Sequence, residues 1–231
     1  MFRVLFVLAG LVALVPALPL SKSNADGRVL VEDFSMALCP CSAKFAYDFN
    51  EGFLKIPELA ALVDFRQPFV GTTEKDGHPV KCFHGDGECV FQKYLLCAQN
   101  LTAPWPAREW YNFQLCTDGT CNLKSALDPC TRQYQNPKNA TLLLSCSAAS
   151  GIDYKSLDSC ATGALGEALL QESAAYSKSQ HVHYGLQGLP TVHVNGKRIT
   201  KFWQCHVDIS TIIQDVCKAY NGSLPLPPQC K

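Results

Sequence analysis

Past residue 17 the chain has no apolar run of the roughly 20 residues that a membrane-spanning helix needs. It has no basic run and no net charge, since 20 Lys and Arg balance 20 Asp and Glu. The first absence argues against a helical span in the mature chain. The other two argue against a nucleic-acid partner. Internal repeats and low-complexity tracts are also missing, so the sequence reads as one globular domain.

What is abundant is cysteine, with 13 in 231 residues. The chain opens MFRVLFVLAGLVALVPALPL. Arg3, an apolar run from Val4 to Val15, and small residues up to Ala17 read as a signal peptide over residues 1–17. Residues 18–231 are then the mature domain, expected to be secreted or to sit in an endosomal or lysosomal lumen. Sequons at Asn100, Asn139 and Asn221 fit glycosylation there. In an oxidising compartment the cysteines imply a disulfide framework. Their odd number leaves one thiol that is free, paired between chains or in redox exchange. That leftover fits Cys39, and it fits a disulfide-linked homodimer through Cys230 equally.

"GRVLVEDFSMALCP" holds a β-rich run, Val29 to Phe34, that leads into Cys39. Phe45, Phe49 and Phe53 then recur at helical spacing. A second strand candidate runs from Leu62 to Arg66 and stops at Gln67 and Pro68. Strand, helix, strand in this order suggests a parallel βαβ unit. Toward the other end, Thr191 to Val194 and the segment after Asn195 and Gly196 form a hairpin candidate. A helix follows through Ile209, Ile212, Ile213 and Val216, with Asp208 as its cap. The expected fold is α/β and thioredoxin-like, with a disulfide-rich, mainly helical insertion at about 80–180 that includes "GALGEALLQESAAYS".

Three features carry a family resemblance: the cysteines after the first strand, the segment "CFHGDGECVFQKYLLC", and Leu189 with Pro190 before the hairpin. The middle segment resembles the signature of the gamma-interferon-inducible lysosomal thiol reductase family, Cys-Gln-His-Gly-x-x-Glu-Cys-x-x-Asn-x-x-x-x-Cys. Cys82, His84, Gly85, Glu88, Cys89 and Cys97 match it; Phe83 and Gln92 replace its Gln and Asn. The ending "VCKAYNGSLPLPPQC" is also similar to the family's C-terminal segment. The resemblance implies a reductase of protein disulfides that uses a Cys-x-x-Cys pair on a thioredoxin-like fold. Its partners would be disulfide-containing proteins and a small-molecule thiol as reductant, with no cofactor. It also implies that Pro190 is the cis-proline facing the cysteines, with Leu189 pairing to substrate backbone.

Three residues after Cys39, where a resolving cysteine would lie one helical turn on, stands Ser42. Either a residue has been lost and Cys41 is the second cysteine, or Ser42 replaces it and the site is Cys39-Pro40-Cys41-Ser42. The ungapped register is the simpler. Cys41 points about 200° round a helix from Cys39, so a bridge between them would be strained and oxidising. The alternative is that Cys41 pairs elsewhere. The Ser42 hydroxyl could donate to a Cys39 thiolate. The expected function is a thiol-dependent reductase or isomerase acting through Cys39. Its rival is a weak or inactive relative that binds a protein or cell surface. His84 and Glu88 are expected to hold a cysteine-pinned loop. His181 and His183 beside cysteines suggest a metal site only weakly, and no metal is expected. Trp105, Trp110, Tyr111 and Phe113 are expected to pack the insertion. Local pairs such as Cys116 with Cys121, or Cys146 with Cys160, are candidates that spacing cannot decide.

Overall fold

The computed structural model describes residues 27–73, 79–102, 108–119, 139–182, 188–200 and 207–231. The signal-peptide reading, Trp105 and His183 lie outside them. Strand β1, Val29–Phe34, lies at the centre of a four-stranded sheet in the order β2-β1-β3-β4. It runs parallel to β2, Val63–Arg66, and antiparallel to β3, Thr191–Val194. The hairpin partner β4, Lys197–Arg198, closes the other edge. Asn195 and Gly196 make the turn, both with positive φ, as a two-residue hairpin loop requires.

Helix α1, Pro40–Phe49, makes the crossover from β1. Proline fits its first position because that N–H has no helical partner. The helix continues as a π-turn, Asn50–Leu54, in which Lys55 N–H reaches the Asn50 carbonyl at 2.9 Å. The phenylalanine period explains its packing. Phe45, Phe49 and Phe53 stack at centroid distances of 5.4 and 4.9 Å, and Phe49 meets Phe65 of β2 at 4.9 Å. A short α2, Pro57–Ala60, leads into β2.

Between β2 and β3 lie α3 (Asp86–Thr102), α4 (Glu109–Asp118), α5 (Ala140–Ala149), α6 (Tyr154–Thr162) and α7 (Ala164–Ser179). Trp110, Tyr111 and Phe113 are buried in the main core, and Tyr111 donates to the Ala46 carbonyl at 2.8 Å. α4 therefore packs on α1 rather than presenting an aromatic surface. Cys97–Cys160 ties α3 to α6, and Cys116–Cys146 ties α4 to α5. These pairings replace the local candidates Cys116 with Cys121 and Cys146 with Cys160. The cause is tertiary: α3 packs on α6 and α4 on α5, which brings cysteines distant in the chain together. Ser173 and Ser177 of α7 both donate to the Phe69 carbonyl at 3.2 Å. That anchors the helices to the chain just beyond β2, where Phe69 bridges to Ser35.

The last helix, α8, runs Ile209–Ala219 with Asp208 capping the Ser210 N–H at 3.0 Å. Cys217 of α8 pairs with Cys230 in the same chain. The expected homodimer through Cys230 is thereby corrected, because that sulfur already has a partner. Among the described residues, no helix is long and apolar enough to cross a membrane.

Candidate active site

Alternation along β1 separates two faces. Val29 and Val31 enter the main core, while Phe34 and the following Met36 enter a second cluster with Cys39, Val70, Val182 and Leu189. Cys41 and Tyr176 pack against that second cluster. Cys39 is the N-cap of α1, with extended backbone at φ −87° and ψ 119° and no side-chain cap bond. A group at this position faces the open N–H donors of the first turn and the positive end of the helix dipole. Cys39 is buried, at 9 % exposure, and among the described residues it is the free cysteine.

Cys41 is disulfide-bonded, and Cys39 is not its partner. Of the two alternatives for Cys41, the strained couple with Cys39 is absent and pairing elsewhere holds. In the first turn of α1 the two side chains diverge, so Cys41 is consumed elsewhere. Ser42 is 3 % exposed, and its Oγ accepts from the Met36 N–H at 3.4 Å rather than bonding the Cys39 sulfur. It closes the turn that delivers Cys39 instead of solvating a thiolate. The Leu189–Pro190 peptide is cis, and Leu189 shares the Cys39 cluster. The structure thus brings together Cys39, Cys41, Ser42 and Leu189, with Pro190 adjoining.

The signature residues build a neighbouring loop. Cys82 pairs with Cys89, closing a loop in which Gly85 has φ 84°. Glu88 is fully buried. One of its oxygens receives both the backbone N–H and the ring Nδ1 of His84, and the other receives Gln92 Nε2 at 3.0 Å. His84 and Glu88 therefore hold the loop. Cys97 serves the separate bridge to α6. His181 is exposed with φ 58°, and no cluster of metal-ligating side chains occurs among the described residues. Asn139 and Asn221 are exposed, and Asn100 is half-buried on α3.

The sequence reading missed several titratable groups that the fold buries or half-buries. Glu32 lies beside Phe34 on β1, and Tyr176 donates to its carboxylate at 2.5 Å. Burial raises the Glu32 pKa, which the Tyr176 hydrogen bond partly offsets. Its cross-strand neighbour His193 is lowered to about 4, first by burial and then by Arg198. The His193 ring meets Phe34 at 4.8 Å, and its Nδ1 has no hydrogen-bond partner. On the opposite face, burial pushes Asp33 up to about 7 despite hydrogen bonds from Ser35 at 2.7 Å and Gln67 at 2.8 Å. Asp118 is pushed to about 8, by burial and by the charge on Asp33. One signal was present in the sequence: two acids interrupt an otherwise apolar strand, Val29–Phe34.

The family model for gamma interferon inducible lysosomal thiol reductase matches residues 30–134. The gamma-interferon-responsive lysosomal thiol protein of Arabidopsis thaliana is 25% identical over 210 residues, covering 90% of this chain and 78% of that one. Among solved structures, BdbD from Bacillus subtilis matches with TM-score 0.52 at 17% identity, over 85% of this chain and 89% of that one. A thioredoxin-like oxidoreductase from Silicibacter pomeroyi matches with TM-score 0.51 at 18% identity, over 84% and 87%. The structural likenesses establish the thioredoxin-like α/β fold. Residues 30–134 thus carry the match to the gamma-interferon-inducible lysosomal thiol reductase family model, and the Arabidopsis relative extends the similarity over most of the chain.

Proposed function

We propose that the protein is a thiol–disulfide oxidoreductase of the endolysosomal lumen or the secreted space, acting on protein disulfides through Cys39. The observation that carries this reading is a free sulfur at the N-cap of α1, clustered with the residue before a cis-proline. The Cys39 thiolate attacks one sulfur of a substrate disulfide. A Cys39–substrate bond forms, and the other substrate sulfur leaves as a thiolate that takes a proton from water. The backbone at Leu189 and Pro190, beside the Cys39 cluster, would align the substrate chain as an added strand.

Resolution distinguishes this site from a dithiol one. Cys41 is already bonded and Ser42 has no sulfur, so the mixed disulfide waits for an external small thiol. That thiol's sulfur attacks Cys39 Sγ and expels the substrate thiolate, leaving Cys39 bonded to the small thiol; a second small thiol then attacks that thiol's sulfur, frees Cys39 and leaves as the small thiol's own disulfide. The register with Ser42 in place of the second cysteine is part of this proposal. So are the signal peptide at 1–17, the helical insertion at about 80–180 and the glycans on the three sequons. Two carboxyls that stay neutral up to about pH 7 and 8 support an acidic working compartment.

The burial of Cys39 favours a second reading, a slow or binding-only family member, because attack requires the sulfur to be reached. Insulin reduction with an added small thiol separates the two. Turnover by the wild type above a Cys39→Ser control supports the enzyme, and equal rates leave the binding protein.

A further inference from the structure

The Cys82–Cys89 bridge differs from the others among the described residues. Cys82 Sγ lies 3.5 Å from Gln92 Oε1, and Cys89 Sγ lies 3.3 Å from the Val80 carbonyl oxygen. A disulfide has no proton to give these acceptors, but two thiols would have one each. The dithiol form is therefore provided with hydrogen bonds that the disulfide form cannot use. No sulfur of Cys97–Cys160, Cys116–Cys146 or Cys217–Cys230 meets such an acceptor among the described residues.

Loop length points the same way. Cys82 and Cys89 are 7 residues apart, against 13, 30 and 63 for the other three pairs. The chain-entropy gain from closing a loop grows with the logarithm of its length, so the equilibrium factor grows as the three-halves power. On that ground alone, reduction of Cys82–Cys89 is favoured about 27-fold over Cys97–Cys160, about ninefold over Cys116–Cys146 and about 2.5-fold over Cys217–Cys230. Both sulfur-bearing residues are half-buried, and the loop from Phe83 to Asp86 is exposed. Accessible bridges exchange more readily.

The bridge also reaches the Cys39 cluster. Lys81, next to Cys82, pairs its backbone both ways with Thr72, at 2.8 and 3.0 Å. That arm carries Val70, which lies in the cluster covering Cys39. Gln92 links the same parts, since its Nε2 donates to Glu88 at 3.0 Å and to the Val70 carbonyl at 3.4 Å while its Oε1 faces Cys82. The closed bridge ties the arm to α3, and the arm places Val70 in the same buried cluster as Cys39.

We propose that Cys82–Cys89 is a thiol-operated switch whose opening uncovers Cys39. A small-molecule thiolate attacks Cys82 Sγ, the bond to Cys89 breaks, and the Cys89 thiolate takes a proton from water. A second thiolate attacks the new mixed disulfide, freeing Cys82 as a thiol and leaving as the small thiol's own disulfide. Two external thiols thus lose the two electrons that the bridge gains.

The test equilibrates the full mature chain in a series of glutathione redox buffers. Open cysteines are alkylated and mapped by mass spectrometry, and the labelling rate of Cys39 by a bulky maleimide is measured in parallel. Cys82 and Cys89 are expected to open while Cys97–Cys160 and Cys116–Cys146 stay closed, with Cys39 labelling rising at least several-fold in step. Opening together with or after those bridges overturns the proposal. So does a Cys39 rate that is unchanged, or that follows reduction of Cys41 instead. A Cys82→Ser, Cys89→Ser double variant should label Cys39 fast in every buffer. If that variant does not fold, the wild-type titration decides alone. Labelling reads access to Cys39 and not catalysis, so the switch and the proposed activity fail separately.

Discussion

Raising the pH from 5 to 8 should destabilise this protein strongly, because it folds around two carboxyls that resist ionisation. Asp33 is fully buried, with one oxygen accepting from Ser35 and Gln67 and the other, Oδ1, unpartnered. Asp118 is buried nearby and feels its charge. Their folded pKa values of about 7 and about 8 lie above the unfolded value of 3.8. Below pH 3.8 both states are protonated and neither group matters. Above it the unfolded chain releases two protons that the native state keeps. Each group then removes about 1.4 kcal/mol of stability per pH unit, until the native group ionises as well.

Between pH 5 and 7 both carboxyls contribute, and between 7 and 8 only Asp118 does, for a loss of about 7 kcal/mol. His193 acts in the opposite direction. Its folded pKa of about 4 lies below the unfolded 6.5, so its contribution is present above pH 6.5 and is lost as pH falls toward 4. Screened by solvent, it recovers about 1 kcal/mol of the difference. The remaining loss of about 6 kcal/mol corresponds to a fall in Tm of about 12–24 °C for a chain of this size. Calorimetry and urea titration at pH 5, 6, 7 and 8 measure it. Asp33→Asn should reduce the slope between pH 5 and 7 from about 2.7 to about 1.4 kcal/mol per unit, since one linked proton disappears. A wild type equally stable or more stable at pH 8 would refute the reasoning.

Other perturbations probe the site and its frame. Ser42→Cys places a thiol one turn from Cys39; it should raise insulin-reduction turnover roughly tenfold or more at low external thiol, because resolution becomes intramolecular. No gain would mean that Ser42 is not at the resolving position. Removing the Cys97–Cys160 bridge, which spans 63 residues, should cost about 4 kcal/mol, read as a lower urea midpoint. Asn139 caps α5 by accepting from the Leu142 N–H at 3.2 Å, so Asn139→Ala in unglycosylated protein should lose about 1 kcal/mol. Phe49→Ala, which empties the centre of the aromatic stack between α1 and β2, should cost about 3–5 kcal/mol by thermal melting.

The elements that position Cys39 could be read from the chain because each has a local cause. Val29 to Phe34 is a β-rich run, Phe45, Phe49 and Phe53 recur at helical spacing, and Asn195 with Gly196 demands a turn. The disulfide partners could not be read, because Cys97 and Cys160 meet only after α3 and α6 have packed. Tertiary packing likewise decides that Ser42 turns toward Met36 and that Cys41 bonds away from Cys39. Nothing in the local pattern around Glu32 and Asp33 tells whether these acids of β1 are covered. They are buried because β1 is central and covered on both faces.

The central claim is that Cys39 is a nucleophile. The direct measurement incubates the mature protein with a disulfide-bonded protein substrate and no small thiol, quenches with acid, and maps adducts by mass spectrometry. The account expects a mixed disulfide at Cys39 that disappears on adding a small thiol. Finding Cys39 bridged within the chain, or unmodified while the substrate remains intact, would contradict it.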